Sequence, residues 1–248
     1  MRIQKVLISL YARCTGFVGT TNVDGRERWL KKALSEISAG KRILDAGAGE
    51  MQYKKFCGHL AYTSQDFAQY KGHGDERGLQ KQSYDATGVD IVSDITDIPV
   101  EDNSFDVILC VEVLEHLPYP EKAIQEFMRI LKPGGLLILT APFISLTHYA
   151  PYHFATGFNR YWYEEVLTKY GFQIEELVFN GNYFQVLAQE IRRIIPVAHK
   201  YSGRNICMDL GIAFFSLPLL VLLFLLNQGG GKSEELLAYG IHIKAIKE

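Results

Sequence analysis

The chain has 248 residues, which is the length of one or two domains. Hydrophobic residues make up 48% and charged residues 22%, which is a globular composition and excludes disordered, collagen-like and low-complexity chains. The net charge of −2 argues against a domain that binds nucleic acid through a basic surface. The four cysteines show no CxxC spacing, so we expect free thiols in a reducing compartment rather than disulfides or zinc ligands.

Apolar periodicity predicts alternating helices and strands along most of the chain. In chain order, the predicted elements are a helix over 24–40, strand 41–45, a helix around 51–58, strands 61–66, 89–92 and 105–111, a helix over 120–131, strand 136–140, a helix over 159–170, and strands 172–179 and 238–246. A polar, glycine-rich loop is predicted at 68–88. The alternation with short connections predicts an α/β domain with a mostly parallel sheet.

One stretch departs from the average composition. Residues 210–226 (LGIAFFSLPLLVLLFLL) carry no charge, and as a helix they would extend for about 25 Å, at the lower edge of what spans a bilayer. Pro218 lies in the middle of this stretch and favours a kinked or hairpin form. Residues 183–195 precede it with the pattern of an amphipathic helix, and Lys200 and Arg204 add positive charge, which suits an anionic membrane surface.

The strongest local signal is the glycine turn of Ile43–Glu50, because glycines after a first strand let the backbone approach a ligand at a helix N-terminus. A dinucleotide fold requires G-x-G-x-x-G, but counting from Gly47 the third position is Gln52. Glu50 would also place a carboxylate near the phosphates. An acidic turn therefore suits S-adenosylmethionine, which carries a positive sulfonium, better than it suits NAD. The alternative that the turn only connects a strand to a helix, without binding a ligand, stays open.

Six segments then follow in one order: LDAGAGE (44–50), the acid Asp66, DIVSDITDIP (90–99), SFDVILCVEVLEHL (104–117), LKPGGLLILTAPF (131–143) and YGF (170–172). In order and spacing they resemble the class I S-adenosylmethionine-dependent methyltransferases of the small-molecule type found in methyltransferase families 11 and 12. The resemblance implies an α/β, Rossmann-like, mostly parallel seven-stranded sheet with helices on both faces, its last strand antiparallel. An apolar helical insertion would precede that last strand. One departure is Met51, which stands where many members of these families have a third glycine.

The resemblance also implies roles for individual residues in binding S-adenosylmethionine. Asp45, Gly47 and Gly49 would line the methionine moiety, and Asp66 would accept hydrogen bonds from the ribose hydroxyls. Asp94 would meet the adenine amino group while Ile95 packs on the ring. Cys110 and Val111 would lie under the methionine and sulfonium.

The acceptor pocket of such enzymes usually follows the fifth strand, where this chain has a long loop rich in histidine and tyrosine. His148 and His153 are the candidate catalytic bases for an acceptor hydroxyl. Tyr149, Tyr152 and Arg160 are the candidate substrate-binding residues. The His-x4-His pair has no evident third ligand, so no metal site is predicted, and His116 is expected to be structural.

These observations predict an N-terminal segment and helix (1–40), a methyltransferase domain (41–180 and 236–248) and an insertion (181–235). If the strands on either side of the insertion join one sheet, the chain must return to the side it left, so we expect contact with the membrane through 183–227 from one side. A buried position or a partner subunit of an oligomer stays open. The expected function is methyl transfer to oxygen of a small or lipid-linked acceptor by a cytoplasmic protein, peripheral at the inner face of the membrane. The alternatives are a non-catalytic binding or scaffold protein with the same fold and, less favoured, an NAD-dependent oxidoreductase.

Overall fold

A computed structural model describes residues 18–80, 83–203, 206–229 and 232–248. The strands are β1 (Arg42–Ala46), β2 (Ala61–Asp66), β3 (Ile91–Val92), β4 (Phe105–Val111), β5 (Leu131–Pro142), β6 (Phe172–Asn180) and β7 (Gly240–Lys247). The α-helices in the described ranges are α1 (Asn22–Ser35), α2 (Pro120–Ile130), α3 (Arg160–Lys169), α4 (Tyr183–Tyr201) and α5 (Ile206–Gln228). Cys14, Arg204 and the start of the predicted N-terminal segment lie outside the described residues.

The seven strands form one sheet in the order β3-β2-β1-β4-β5-β7-β6. The neighbouring pairs from β3 to β5 are parallel, whereas β7 runs antiparallel to β5. The predicted fold class is therefore confirmed, including the antiparallel last strand and the apolar helix that precedes it. In such a sheet, ligands bind beyond the carboxyl ends of the parallel strands, where the order reverses.

The chain divides into two compact units. The larger unit comprises Arg26–Val178 and Gly240–Glu248. In it, Leu30 and Leu34 of α1 are fully buried in one apolar cluster with Ile43, Leu109 and Ile138 of the sheet. This helix therefore presents a leucine stripe to strands whose apolar runs are buried, as expected for a parallel sheet.

The smaller unit comprises Met1–Gly25 and Phe179–Tyr239. Its two long helices form an antiparallel hairpin. The start of α4 lies beside the end of α5, where the side-chain amide (Nδ2) of Asn182 donates a hydrogen bond to Asn227 Oδ1 at 2.8 Å. Ala188 of α4 packs with Leu220 and Leu223 of α5 in a buried cluster. The Cys207–Gln228 stretch of α5 is long and apolar enough to cross a membrane, and only 17% of its most apolar window is buried.

Several predicted boundaries were wrong. The first helix ends at Ser35 rather than Gly40, and Asp24 lies in its first turn rather than at a cap. The predicted helix around 51–58 is only a 3₁₀ turn of Lys54–Phe56, and Met51, where the helix was predicted to begin, has a left-handed backbone that an α-helix excludes. In contrast, Pro218 lies inside continuous α5 and does not break it, so the turn of the hairpin falls between α4 and α5.

The fifth strand also begins earlier than predicted. Leu131 pairs with Phe105, and the next pair is Leu136 with Val107, so the residues between them form a bulge in β5. The Lys-Pro-Gly-Gly run therefore follows directly on α2 as an irregular part of the strand. Bulges of this kind accommodate proline and glycine within a sheet.

Candidate active site

A cavity of about 550 Å³ lies beyond the carboxyl ends of β1 to β4 in the larger unit. Each of these strands contributes to its wall through the residues that follow it, as the topology predicts. Six of the predicted site residues line the cavity: Gly47, Asp66, Asp94, Ile95, Tyr149 and Tyr152. The other predicted site residues, Asp45, Gly49, Cys110, Val111, His148, His153 and Arg160, are not in its wall.

The glycine turn after β1 has a backbone that side chains would obstruct. Gly47 has φ +76°, and a Cβ added there would lie 2.5 Å from Val113 Cγ2. Gly49 has φ +51°, and its added Cβ would collide with the Tyr84 hydroxyl. Glycine is required at such positions because it lacks the Cβ that disfavours positive φ. Both positions of the turn therefore exclude a side chain, and Gly47 lines the cavity.

Asp66, at the end of β2, is tied to this turn. Its Oδ2 accepts a hydrogen bond from the Gly49 amide at 3.0 Å, and its Oδ1 accepts one from the Ala68 amide at 2.8 Å. The carboxylate is buried yet lines the cavity. Each carboxylate oxygen has further lone pairs for a ligand.

Asp94 and Ile95 form the part of the wall beyond β3. Asp94 Oδ1 accepts hydrogen bonds from both the amide and the hydroxyl of Thr96, each at 2.8 Å, so this aspartate also closes a local turn. Ile95 is buried and presents an apolar surface to the cavity. The pair thus combines a fixed acceptor with an apolar contact, which is the arrangement that a flat heteroaromatic ring would require.

Asp45, Cys110 and Val111 lie behind the wall. The Tyr62 hydroxyl donates to Asp45 Oδ2 at 2.6 Å, and burial raises the pKa of this carboxyl to about 7. Cys110 is fully buried, and burial raises the pKa of its thiol. Val111 packs in the core cluster beneath α1. These residues support the strand ends that carry the cavity.

Two loops of the larger unit join through backbone hydrogen bonds beside the cavity. The Leu79 amide donates to the Thr147 carbonyl at 2.8 Å, and the Tyr149 amide donates to the Leu79 carbonyl at 3.1 Å. The Asp75 amide donates to the Ala150 carbonyl at 3.2 Å. The loop between β2 and β3 is thereby latched to the loop between β5 and α3.

The same two loops bring aromatic rings into the cavity wall. Tyr70 packs against Tyr84 and Tyr149 with ring centroids 5.2 and 4.8 Å apart, and all three line the cavity. Sequence reasoning missed Tyr70 and Tyr84, because it assigned 68–88 only to a polar loop. The available signal was their aromatic character within an otherwise polar segment.

The histidines gather beside the cavity around a buried carboxylate. Glu115 Oε1 lies 3.7 Å from His116 Nε2 and 3.9 Å from His148 Nε2. The rings of His148 and His153 have centroids 4.9 Å apart, and His153 Nε2 lies 3.2 Å from the Ser145 hydroxyl. His116 was expected to be structural and Glu115 was assigned no role, yet the fold places both with the two loop histidines.

Burial dominates the electrostatics of this cluster. It raises the pKa of the Glu115 carboxyl well above its usual range, and the nearby Glu112 adds to that rise. It lowers the pKa of His116 to about 3, assisted by His148. The pKa of His153 is also lowered, first by burial and then by His148.

Glu112, directly after β4, connects the cavity wall to α1. Its φ of +55° is unusual for a residue with a side chain, and such strain often occurs at functional sites. Its carboxylate accepts from the Thr140 hydroxyl at 2.9 Å and pairs with Arg26 at 2.8 Å. Arg160, in contrast, is not in the cavity wall. It begins α3, and its Nε lies 3.8 Å from Oε1 of Glu164 on the same helix.

Comparison with known proteins identifies the core of this arrangement. The family described as "Methyltransferase domain" matches residues 44–139, which run from β1 into β5. The ubiquinone biosynthesis O-methyltransferase of Actinobacillus pleuropneumoniae is 32% identical over 108 residues, which are 41% of this chain and 45% of that protein. The ubiquinone/menaquinone biosynthesis C-methyltransferase of Bdellovibrio bacteriovorus is 31% identical over 122 residues, 45% of this chain and 49% of that protein.

The matches thus span about half the length of these curated relatives. Among solved structures, the [4+2]-cyclase SpnF superimposes with a TM-score of 0.52 at 19% identity, covering 88% of this chain and 80% of that one. This likeness concerns the fold alone. The glycine turn, the acid at the end of β2 and the matched segment agree, and residues 44–139 form a methyltransferase domain of the class I S-adenosylmethionine-dependent type.

Proposed function

We propose that the protein transfers a methyl group from S-adenosylmethionine to an oxygen of a small or lipid-linked acceptor. The observation that carries the proposal is the glycine turn held by Asp66 at the wall of the 550 Å³ cavity. Gly47 lines the cavity without a Cβ, which would strike Val113 there, and the acid beside the turn suits a ribose hydroxyl. Asp94 and Ile95 would take the adenine.

When bound there, S-adenosylmethionine supplies an electrophilic methyl group on a good leaving group. The chain would then contribute mainly proximity and alignment, as in other in-line displacements. Tyr149 and Tyr152 line the same cavity and would position the acceptor. His148 or His153 would take the proton of an acceptor hydroxyl, directly or through water, because the His148 ring packs against Tyr149 of the cavity wall and the His153 ring packs against His148.

The relatives support oxygen as one target and leave room for others, since one is named an O-methyltransferase and another a C-methyltransferase. Both are named for quinone biosynthesis, which supports an apolar acceptor. The test supplies S-adenosylmethionine with a labelled methyl group to the full chain and a panel of phenolic, quinol and glycolipid acceptors. Label in an ether product supports the proposal. Cofactor binding without transfer to any acceptor, extracts of the source cells included, favours the scaffold alternative.

We also propose that α5 attaches the cytoplasmic protein to the inner face of the membrane. Phe214 and Phe215 of this helix are 73% and 77% exposed, and leucines on the same helix are exposed with them. Such a surface is large for a soluble protein, and Lys200 in the last turn of α4 supplies positive charge for anionic lipid. Because β6 and β7 share one sheet, the two ends of the hairpin would have to lie on the same side of a membrane.

Vesicle flotation tests this attachment. We expect the full chain to float with vesicles containing anionic lipid, and the double variant Phe214→Ser/Phe215→Ser to lose most of that binding. Tyr161→Ser is the matched control, because Tyr161 is an aromatic residue of α3 that is 74% exposed. Wild-type protein that ignores vesicles, or equal loss in the control, would contradict the attachment.

A further inference from the structure

The cluster around Glu115 has an arrangement that the proposed methyl transfer leaves unexplained. Glu115 is 1% exposed, yet neither of its carboxylate oxygens has a hydrogen-bond partner within the described parts of the chain. The same holds for His116 Nε2, which is buried. A buried carboxylate without a hydrogen bond is costly and calls for a partner that protein groups do not supply.

The two imidazoles are oriented as metal ligands are. His116 Nδ1 lies 2.5 Å from the Tyr152 carbonyl, and His148 Nδ1 lies 2.8 Å from the Leu146 carbonyl. A ring whose Nδ1–H donates to a carbonyl has its lone pair on Nε2, and both Nε2 atoms are directed at Glu115. In metal sites, such a hydrogen bond from the ring nitrogen that does not bind the ion fixes the tautomer.

The spacing of the three donors also suits an ion. One donor atom each from Glu115, His116 and His148 lies within 4.8 Å of the other two. Two ligands at about 2.1 Å from one ion are roughly 3.0–3.4 Å apart, so the 3.7 and 3.9 Å separations need only a small contraction. Two imidazoles and one carboxylate suit first-row divalent ions rather than Mg²⁺ or Ca²⁺.

We propose that Glu115, His116 and His148 bind a first-row divalent cation such as Zn²⁺, Fe²⁺ or Mn²⁺. His116 also lines the cavity, so the ion would lie at its wall with coordination positions open to an acceptor oxygen. A bound cation lowers the pKa of an oxygen ligand and orients it. This role rests on the proposed function, narrows the acceptor to one that presents a hydroxyl or related oxygen to the ion, and leaves His153 as the base, since Nε2 of His148 would hold the ion.

The test titrates Co²⁺ into the full-length, chelator-stripped protein and follows the visible absorption of the ion, with Zn²⁺ calorimetry as a second measurement. We expect one equivalent per chain, and binding more than about 100-fold weaker in both Glu115→Gln and His148→Asn, since even the loss of a residue that only hydrogen-bonds to a metal ligand costs about 10–100-fold. His59→Asn is the control, because this exposed histidine contacts Ile37 away from the cluster.

Glu115→Gln could lose binding because it misfolds. His148→Asn keeps the test interpretable in that case, because His148 lies on a loop and is only half-buried. Absence of stoichiometric Co²⁺ binding by the wild type, or unchanged affinity in His148→Asn, overturns the proposal. S-adenosylmethionine binding is measured on the same stripped protein. If the cofactor binds but the ion does not, only the cation site fails; if the ion binds but the cofactor does not, the proposed function fails.

Discussion

The Oε1 atom of Glu115 lies 3.9 Å from Nε2 of His148, although the two residues belong to different connections of the sheet. Glu115 belongs to a 3₁₀ turn after β4, and His148 to the loop after β5. The Glu115 carbonyl accepts hydrogen bonds from the amides of Phe154 and Ala155, which hold that loop against the turn. The chemistry beside the cavity is therefore positioned by backbone contacts as well as by side chains.

The glycine turn provides the first prediction. Gly47→Ala places a Cβ against Val113 at a positive φ, whereas Gly40→Ala has the same strain, φ +79°, with no atom within 4 Å. We expect the control to lose about 1–2 kcal/mol of unfolding free energy from backbone strain and Gly47→Ala a further 1–3 kcal/mol from crowding. Urea unfolding measures both values.

A second substitution checks the steric cause. Val113→Ala removes the two methyl groups nearest the added Cβ, so it should restore part of the stability of Gly47→Ala. Equal losses in the two glycine variants, or no recovery in the double variant, would show that the turn is less crowded than described.

The latch between the two loops gives the second prediction. At Gly74, φ is +53° and an added Cβ would strike the Ala150 carbonyl, whereas at Gly88, φ is +86° and no atom lies within 4 Å. Gly74→Ala should break the hydrogen bond from the Asp75 amide to the Ala150 carbonyl and so loosen the tyrosines of the cavity wall. Because one hydrogen bond contributes about 1 kcal/mol, we expect the affinity for S-adenosylmethionine to fall several-fold. Gly88→Ala should leave affinity unchanged, and calorimetry on both variants decides.

The third prediction concerns pH. The pKa of Asp45 is about 7 in the fold, above its usual 3.8, so the folded state holds the proton more tightly than the unfolded chain. Its contribution to stability is therefore complete below pH 4 and is lost as the pH rises through 7. Asp45→Asn, which keeps an acceptor for Tyr62, should abolish this loss between pH 5 and 8.

The measurement is the unfolding free energy of the wild type and Asp45→Asn at several pH values, where each unit of pKa difference corresponds to about 1.4 kcal/mol. Asp90→Asn is a control of opposite sign, because hydrogen bonds from the amide and hydroxyl of Ser64 lower the pKa of Asp90. Its removal should reduce the stability lost as the pH falls. Parallel curves for the wild type and Asp45→Asn would contradict the assignment.

The fold was largely predictable because its signals are local. Apolar runs such as 105–111 and 136–140 identify buried strands, and Asn159 accepts from the Trp162 amide as the predicted cap of α3. The predicted ends of elements were wrong where the backbone conformation of a few residues determined where the element begins or ends. Met51 has a left-handed backbone where a helix was predicted to begin, and the Pro-Gly-Gly run lies in a bulge of β5 rather than before the strand.

The candidate site was predictable only where its residues follow strand ends. Asp66 and Asp94 could be found that way, since the carboxyl ends of parallel strands meet at one edge. The meeting of Glu115 with His148 could not, because it depends on the path of a loop without regular structure. Tyr84 contacts the glycine turn from another irregular loop, and the periodicity of apolar residues does not predict contacts made by loops.

The central claim is that the glycine turn and Asp66 form the S-adenosylmethionine site. The most direct measurement is calorimetric titration of the full chain with S-adenosylmethionine, with NAD as the competing ligand. Asp102→Ala is the control variant, because Asp102 pairs with Arg129 and is not in the cavity wall. We predict one site per chain, no NAD binding, unchanged affinity in Asp102→Ala and a loss of about 10- to 100-fold in Asp66→Ala, as for hydrogen bonds to a charged group. Wild-type protein that does not bind S-adenosylmethionine, or Asp66→Ala that binds it as tightly as the wild type, would contradict the account.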